Sequence, residues 1–292
     1  MKALVTGEGG QLAKALFRTV EEHHELSMHS IETLDITSPD QVNQVVSDFQ
    51  PDVIINAAAY TGVDKAESDE DTAADVNEKG PEILAQAAMT HGARLIHIST
   101  DFVFDGISKK PWKTSDQTNP ISVYGRTKLN GEQAIINSGL ADWAIVRTAW
   151  LYDGTSPNFV STMLRLMNEK DDIRVVSDQT GTPTLSDSLA VAVWCMAENS
   201  IQGMHHWTDS GSTTWHGFAC AIEELGFESG LLTSRTKVHP IVTKDYPTPA
   251  RRPVYSVLDK SATWDVLQGT RAMPATHWRK NLENMITEKM RV

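Results

Sequence analysis

Tyr124 and Lys128, in Tyr124-Gly125-Arg126-Thr127-Lys128, are the two side chains of this sequence best suited to moving a proton together. On a helix, residues four apart share a face, so both side chains reach into one cleft. A tyrosine of ordinary pKa, about 10, is a poor acid–base at neutral pH, and a lysine ammonium alongside lowers that value. Tyr-x-x-x-Lys alone arises often by chance. Its partner is Ser99-Thr100-Asp101, with Thr100 24 residues before Tyr124 and at the exit of an apolar run that reads as a strand. A hydroxyl there can hydrogen-bond a substrate carbonyl. Thr100, Tyr124 and Lys128 together then suit hydride transfer to a carbonyl.

A hydride needs a carrier, and the start of the chain offers a place for one. Gly7-x-x-Gly10-x-x-Ala13 lies between the first apolar run and the first helical pattern. Gly7 permits a positive-φ turn, and Gly10 lets a dinucleotide pyrophosphate approach backbone N–H groups at the helix start, beside Gln11 and Leu12. A plain tight turn would use the same glycines. A carboxylate that grips the adenosine ribose is expected about 20 residues later. Ser30 stands there after His29, so the sequence leaves NADH and NADPH both open. Asp35, followed by Ile36, suits either the adenine edge or a turn. Asn56-Ala57-Ala58-Ala59-Tyr60-Thr61 places small residues where a strand meets a loop, a flat wall for a cofactor or a tightly packed strand end.

Elements able to position these groups follow from periodicity. Strands are expected at 3–5, 26–29, 52–56, 94–99 and 144–147, with helices at 11–22, 38–50, 69–91 and 123–138 between them. This alternation predicts an α/β fold, a doubly wound parallel sheet of the Rossmann type, over residues 1–150. Beyond Trp150 the pattern loosens. Helices at 159–168, 186–199, 215–225 and 276–289, short strands at 173–176 and 205–207, and a proline-rich stretch suggest a smaller substrate lobe over 151–292. Some of its segments are expected to return to the first domain.

Bulk properties remove several alternatives. A net charge of −12 argues against a nucleic-acid partner. The longest apolar run, 189–197, is too short to span a membrane, and no targeting segment is visible, so a cytoplasmic protein is expected. The two cysteines, Cys195 and Cys220, lie apart without metal spacing, and the ten histidines form no H-E-x-x-H, so no metal is expected. Trp150 could wall a sugar ring or sit in a core. Arg251 and Arg252 could grip a diphosphate or lie on the surface.

Longer runs carry a family resemblance. Gly7-x-x-Gly10-Gln11-Leu12, Asn56-Ala57-Ala58-Ala59-Tyr60-Thr61-Gly62-Val63-Asp64-Lys65-Ala66-Glu67 and Ser99-Thr100-Asp101-Phe102-Val103-Phe104-Asp105-Gly106 belong to it. So do Tyr124-Gly125-x-x-Lys128, Arg147-Thr148-Ala149-Trp150 and Tyr246-Pro247-Thr248-Pro249-Ala250-Arg251-Arg252-Pro253. The chain resembles the dTDP-4-dehydrorhamnose reductase branch of the extended short-chain dehydrogenases over nearly its whole length. The resemblance implies reduction of the 4-keto group of dTDP-4-dehydro-6-deoxy-L-mannose to dTDP-L-rhamnose with NADPH or NADH. It makes Thr100, Tyr124 and Lys128 catalytic, with Tyr124 protonating the new alkoxide. It assigns Gly10, Gln11 and Leu12 to the pyrophosphate, Asp35 and Ile36 to the adenine, and Ala59, Tyr60 and Thr61 to the cofactor's middle. Thr100, Asp101, Trp150, Arg251 and Arg252 would meet the substrate. Ser30 departs from an acidic ribose contact, and Ala15 from a carboxylate that a metal-linked dimer would draw; a homodimer stays open. Three other readings stand beside this one: an epimerase or dehydratase that retains its NAD, a reductase of a related 6-deoxy-4-ketohexose, and a silent regulatory subunit like that of methionine adenosyltransferase.

Overall fold

The computed structural model describes residues 1–289. It begins with β1 (Lys2–Thr6), α1 (Gln11–Thr19), β2 (Glu25–His29), α2 (Pro39–Phe49) and β3 (Val53–Asn56). There follow α3 (Val63–Ala66), α4 (Glu70–Ala74), a π-helical turn at Asp75–Lys79, α5 (Gly80–His91) and β4 (Arg94–Thr100). A 3₁₀ turn, Asp101–Val103, precedes α6 (Val123–Asn137), β5 (Trp143–Thr148) and β6 (Leu151–Tyr152). Next come α7 (Phe159–Glu169), β7 (Asp172–Val176), β8 (Thr180–Gly181), β9 (Thr184–Leu185), α8 (Ser186–Glu198) and β10 (Gly203–His206). The chain closes with β11 (Thr213–Thr214), α9 (Trp215–Glu228), β12 (Lys237–Ile241), α10 (Ser261–Val266) and α11 (Trp278–Lys289).

Six strands form one sheet in the order β10-β5-β4-β3-β1-β2, every pair parallel. Parallel strands must be covered on both faces, and β3 accordingly reads Val53-Ile54-Ile55-Asn56 with all four residues buried. Ala3, Val5 and Ile55 face a core completed by α1 and α8, whereas Leu4 and Ile54 face one completed by α2 and α5. The chain moves outward from β1 to β2, then returns to place β3 on the other side of β1. That reversal opens a crevice beyond the C-terminal ends of β1 and β3, where such sheets bind ligands. The sheet is thus the doubly wound one that the alternation predicts.

A second core gathers Met163, Leu164, Phe218, Ile222 and Leu282 between α7, α9 and α11, with Ile173 and Val175 of β7 beneath them. Residues 186–206 leave this lobe and return to the sheet. Trp194 of α8 donates its indole N–H to the Leu16 carbonyl of α1 at 3.1 Å, and β10 pairs with β5. No helix among the described residues is long and apolar enough to cross a membrane.

Besides short elements that periodicity does not predict, such as β6, β8, β9, β11 and α10, two longer ones differ from the periodic reading. The single helix expected over 69–91 is interrupted by the π-helical turn, because Pro81 has no N–H to continue the ladder and the buried Asn77 is committed elsewhere. Asn77 accepts the Tyr60 N–H at 2.9 Å and donates to the Tyr60 carbonyl at 3.1 Å and to Thr127 Oγ1 at 3.2 Å. β12 is the second. It carries Pro240 and no buried alternation, so only its parallel pairing with β7 defines it.

α6, which carries Tyr124 and Lys128, lies unusually close to its neighbours. A Cβ on Gly125 would sit 2.2 Å from the Phe102 carbonyl oxygen, and one on Gly131 would sit 2.1 Å from that of Asn77. Only glycine allows this approach. Gly131→Ala is expected to destabilise the fold by about 1–3 kcal/mol in urea unfolding, through backbone displacement at a tightly packed contact. A change within about 0.5 kcal/mol would show that the helix has room to spare.

Candidate active site

The crevice begins at the first βα turn. Gly7 adopts φ +78, and a Cβ there would meet Ala58 N at 2.7 Å and the Ala57 carbonyl oxygen at 2.8 Å. Gly10 caps α1 with neither a capping side chain nor an acidic residue in the first turn, so the N–H groups of that turn are free to meet an anion. Gln11 is half-buried and accepts from Asn158 Nδ2 at 3.3 Å, tying the turn to the second lobe. Leu12 is buried in the core, leaving only its backbone for a ligand. Ala57, Ala58 and Ala59 form a half-buried strip beside the turn. Tyr60 next to it is pinned by Asn77 and by a hydroxyl bond to Asp69 at 2.9 Å, and Thr61 is exposed. A glycine cradle, an open helix start and a small-residue wall fit a nicotinamide dinucleotide.

Thr100, Tyr124 and Lys128 converge at the end of β4. Thr100 Oγ1 donates to Asp101 Oδ1 at 3.1 Å and accepts the Phe102 N–H at 3.2 Å. Tyr124 is half-buried, packed edge-on against Phe102 at 5.6 Å. Desolvation pushes its hydroxyl up to about 12, opposed by hydrogen bonding with Thr100 and reinforced by the Asp101 charge. This reverses the expectation that Lys128 lowers the tyrosine. The reason is where the lysine goes: its Nζ donates to the Ile98 carbonyl at 2.7 Å and meets His97 Nε2 at 3.1 Å. Burial draws Lys128 down to about 8, with Glu132 pulling the other way. Asp101 is also buried, and burial lifts it to about 6 against hydrogen bonds from Ser256 and Thr100.

Several residues that sequence reasoning passes over hold this set in place. Asn56 Oδ1 accepts from Thr6 Oγ1 at 2.7 Å and from the Ala58 N–H at 3.2 Å. Its Nδ2 is therefore the donor toward His97 Nδ1, 3.0 Å away. A neutral His97 then carries its proton on Nε2 and offers it to Lys128, which favours the uncharged amine just as burial does. Behind them, Glu132 takes both arms of Arg147, at 2.8 Å from Nε and 2.6 Å from Nη2, and also accepts from Ser99. In the sequence His97 and Glu132 look like ordinary strand and helix residues. Only the Arg147-Thr148-Ala149-Trp150 run hints at this layer.

Toward the second lobe, Trp150 has a left-handed backbone, φ 47, and stacks on Trp215 at 3.6 Å and 11°. Gly181 makes room for it, since a Cβ there would lie 2.5 Å from the Trp150 ring. A cavity of about 670 Å³ opens past Trp215, lined also by Phe159, Lys170, Arg174, Tyr246 and Arg252. Arg252 is shared: it grips Asp64 at 2.7 and 3.0 Å and Thr248 Oγ1 at 2.6 Å. Arg251 is exposed and does not line the cavity. Asp35 Oδ1 accepts from the Thr37 N–H at 2.9 Å and its hydroxyl at 2.7 Å, forming a turn, and Ile36 is buried against Gly80.

At the end of β2 the reading of an uncharged position needs correction. The Glu32 side chain folds back and accepts a hydrogen bond from Ser30 Oγ, so a carboxylate stands there after all, supplied by the turn. Among the described residues His23, His24 and Glu198 gather at metal-ligand spacing, with His24 just before β2, at the N-terminal end of the parallel strands, whereas Thr100 lies at their C-terminal end. At that cluster Arg271 pairs with Glu198 at 3.1 Å and with Glu21 at 3.0 Å, so one guanidinium bridges the two carboxylates.

Sheet order, glycine turn and the hydroxyl–tyrosine–lysine set define an extended short-chain dehydrogenase fold. The chain matches the RmlD substrate binding domain family over residues 1–291. It is 37% identical to dTDP-4-dehydrorhamnose reductase of Aggregatibacter actinomycetemcomitans, covering 97% of this chain and 98% of that protein. A solved reductase of the same description from Clostridium acetobutylicum is 38% identical with a TM-score of 0.92, covering 100% of both chains. Another from Bacillus anthracis, in complex with NADP, is 35% identical with a TM-score of 0.90, covering 98% of this chain and 99% of that one. This chain belongs to the dTDP-4-dehydrorhamnose reductase family.

Lys128 should keep its ammonium below about pH 8 and lose it above, far from the ordinary lysine value. Carbon NMR of ¹³Cε-labelled lysine should show a resonance titrating there that vanishes in Lys128→Met, which separates it from Lys260, also lowered to about 8. If only Lys260 titrates early, the buried amine has another explanation.

Proposed function

We infer that this protein reduces the C4 carbonyl of dTDP-4-dehydro-6-deoxy-L-mannose with NADH or NADPH, giving dTDP-L-rhamnose. The observation that carries this reading is the convergence of Thr100, Tyr124 and Lys128 at the strand-end crevice of a chain of this family, with a cavity of about 670 Å³ lined by Trp215, the stacking partner of Trp150. The glycine turn and the Ala57–Ala59 strip would hold a dihydronicotinamide dinucleotide, which would supply the hydride. The residues of the chain do the rest.

Reduction leaves charge on the carbonyl oxygen, so the site needs a donor that is still protonated at neutral pH. Tyr124, raised to about 12, meets that need, and an alkoxide is a stronger base than the phenolate it creates. Thr100 turns its hydroxyl from Asp101 to the same oxygen and stabilises the developing charge. Lys128, drawn down to about 8 by burial, would hold the dinucleotide ribose and keep a proton available beside Tyr124. The stacked Trp150 and Trp215 wall the deoxysugar, whose apolar face suits aromatic contact. Lys170, Arg174 and Arg252 offer cations to the diphosphate, and Phe159 and Tyr246 a surface for the base.

The test is a stoichiometric assay on the 4-keto sugar nucleotide. Nicotinamide absorbance should fall by one equivalent per sugar reduced, with oxidised dinucleotide released. An epimerase or dehydratase would convert sugar without net consumption, and a regulatory subunit would do neither. Tyr124→Phe should lower kcat by about 10²–10⁴ while KM changes little. A variant as active as the parent would remove Tyr124 from the mechanism.

A further inference from the structure

We propose that Glu32 and Glu8 make this chain discriminate against the 2′-phosphate, so that it binds NADH in preference to NADPH. The inference rests on the dinucleotide reading of the crevice and adds the residues that choose between the two forms.

In a doubly wound fold the end of the second strand faces the adenosine ribose. Here β1 and β2 run in register, Thr6 level with His29, so Gly7 and Ser30 emerge side by side. The Glu8 N–H donates to the His29 carbonyl at 2.9 Å, which fixes Glu8 of the glycine turn next to Ser30. Ser30 is itself clamped in a turn: its N–H donates to Thr33 Oγ1 at 3.1 Å, and its carbonyl accepts from the Leu34 N–H at 2.9 Å. Its hydroxyl donates to Glu32 Oε2, and the Glu32 N–H returns a bond to that hydroxyl at 3.3 Å. One carboxylate oxygen is thereby anchored. The other is left to accept from a ribose 2′-hydroxyl.

The charges around this point all have one sign. Neither residues 7–10 nor residues 26–36 contain a lysine or arginine. Lys14 of α1 is bonded to Ser156 at 3.2 Å, and Arg18 is bonded to Asp187. His29, the remaining basic group, is lowered by burial, with Glu8 only partly restoring it, so it is uncharged at neutral pH. The Ser30 hydrogen bond holds Glu32 below the usual carboxylate range. Two carboxylates without a counter-cation repel the dianionic 2′-phosphate of NADPH, whereas a 2′-hydroxyl finds an acceptor.

Equilibrium binding decides the matter without turnover. NADH and NADPH are titrated into the full-length protein at neutral pH, followed by nicotinamide fluorescence, for the parent, Glu32→Gln and the Glu8→Gln/Glu32→Gln double variant. The parent should bind NADH about tenfold or more tighter than NADPH, and the gap should narrow at about 0.5 M salt because both carboxylates are exposed. The double variant should close most of the gap by gaining affinity for NADPH, with Glu32→Gln between. A parent that binds NADPH as well as or better than NADH, or a double variant that keeps the full gap, overturns the proposal. Loss of both dinucleotides from the parent would instead overturn the cofactor reading of the crevice, and this inference with it.

Discussion

A lysine amine taken out of water must find its hydrogen-bond partners inside the protein or give up its charge, and much of this structure is arranged around that requirement at Lys128. The Ile98 carbonyl accepts from the amine, while His97 presents its own N–H and so favours the uncharged form, as burial does. His97 can do so only because Asn56 holds its other nitrogen, and Asn56 is in turn fixed by Thr6 and the Ala58 N–H. The chain of contacts runs across the ends of three adjacent strands, β4, β3 and β1. It links the catalytic helix directly to the glycine turn, so the amine and the dinucleotide cradle are set by the same strand ends.

Placement of that helix depends on close approach. Gly125 and Gly131 let α6 rest on the Phe102 and Asn77 carbonyls, and the π-helical turn that contains Asn77 is shaped to receive it. Beneath, the Glu132–Arg147 pair joins α6 to β5 with both charges buried and matched arm to arm. The second lobe then contributes the opposite wall. Trp150 leaves β5 in a left-handed conformation, a costly backbone for a tryptophan, and is held there by Trp215 on one side and Gly181 on the other. The cleft is thus walled by close-packed backbone and a buried ion pair on the α6 side and by stacked aromatic rings on the other.

Much of this is legible in the chain's residues alone. Strand and helix alternation implies the parallel sheet because both-face burial forces long apolar runs; Tyr124 and Lys128 stand out because helical spacing relates them, and Thr100 because it stands at a strand exit. What stays hidden depends on contacts across the fold. The Asn77 turn, the His97 link and the Glu132–Arg147 pair each join residues at least 15 positions apart, as in Arg147 to Glu132, and no periodicity encodes such a pairing. The Glu32 carboxylate escapes for a subtler reason: a fixed offset from the glycines points to Ser30, but the turn brings in a side chain from two residues later. The tyrosine pKa shifts opposite to expectation because helical spacing shows that two side chains share a face, and not which partners each one chooses.

The most direct test of hydride delivery in this cleft follows the hydrogen itself. Dinucleotide carrying deuterium at C4 of the dihydronicotinamide is incubated with the 4-keto sugar nucleotide, and the product is examined by NMR. A single deuterium at C4 of the deoxysugar, one configuration there, and an equal amount of oxidised dinucleotide are expected. Deuterium kept on the dinucleotide, or solvent hydrogen at sugar C4, would contradict direct reduction of the carbonyl by the bound cofactor.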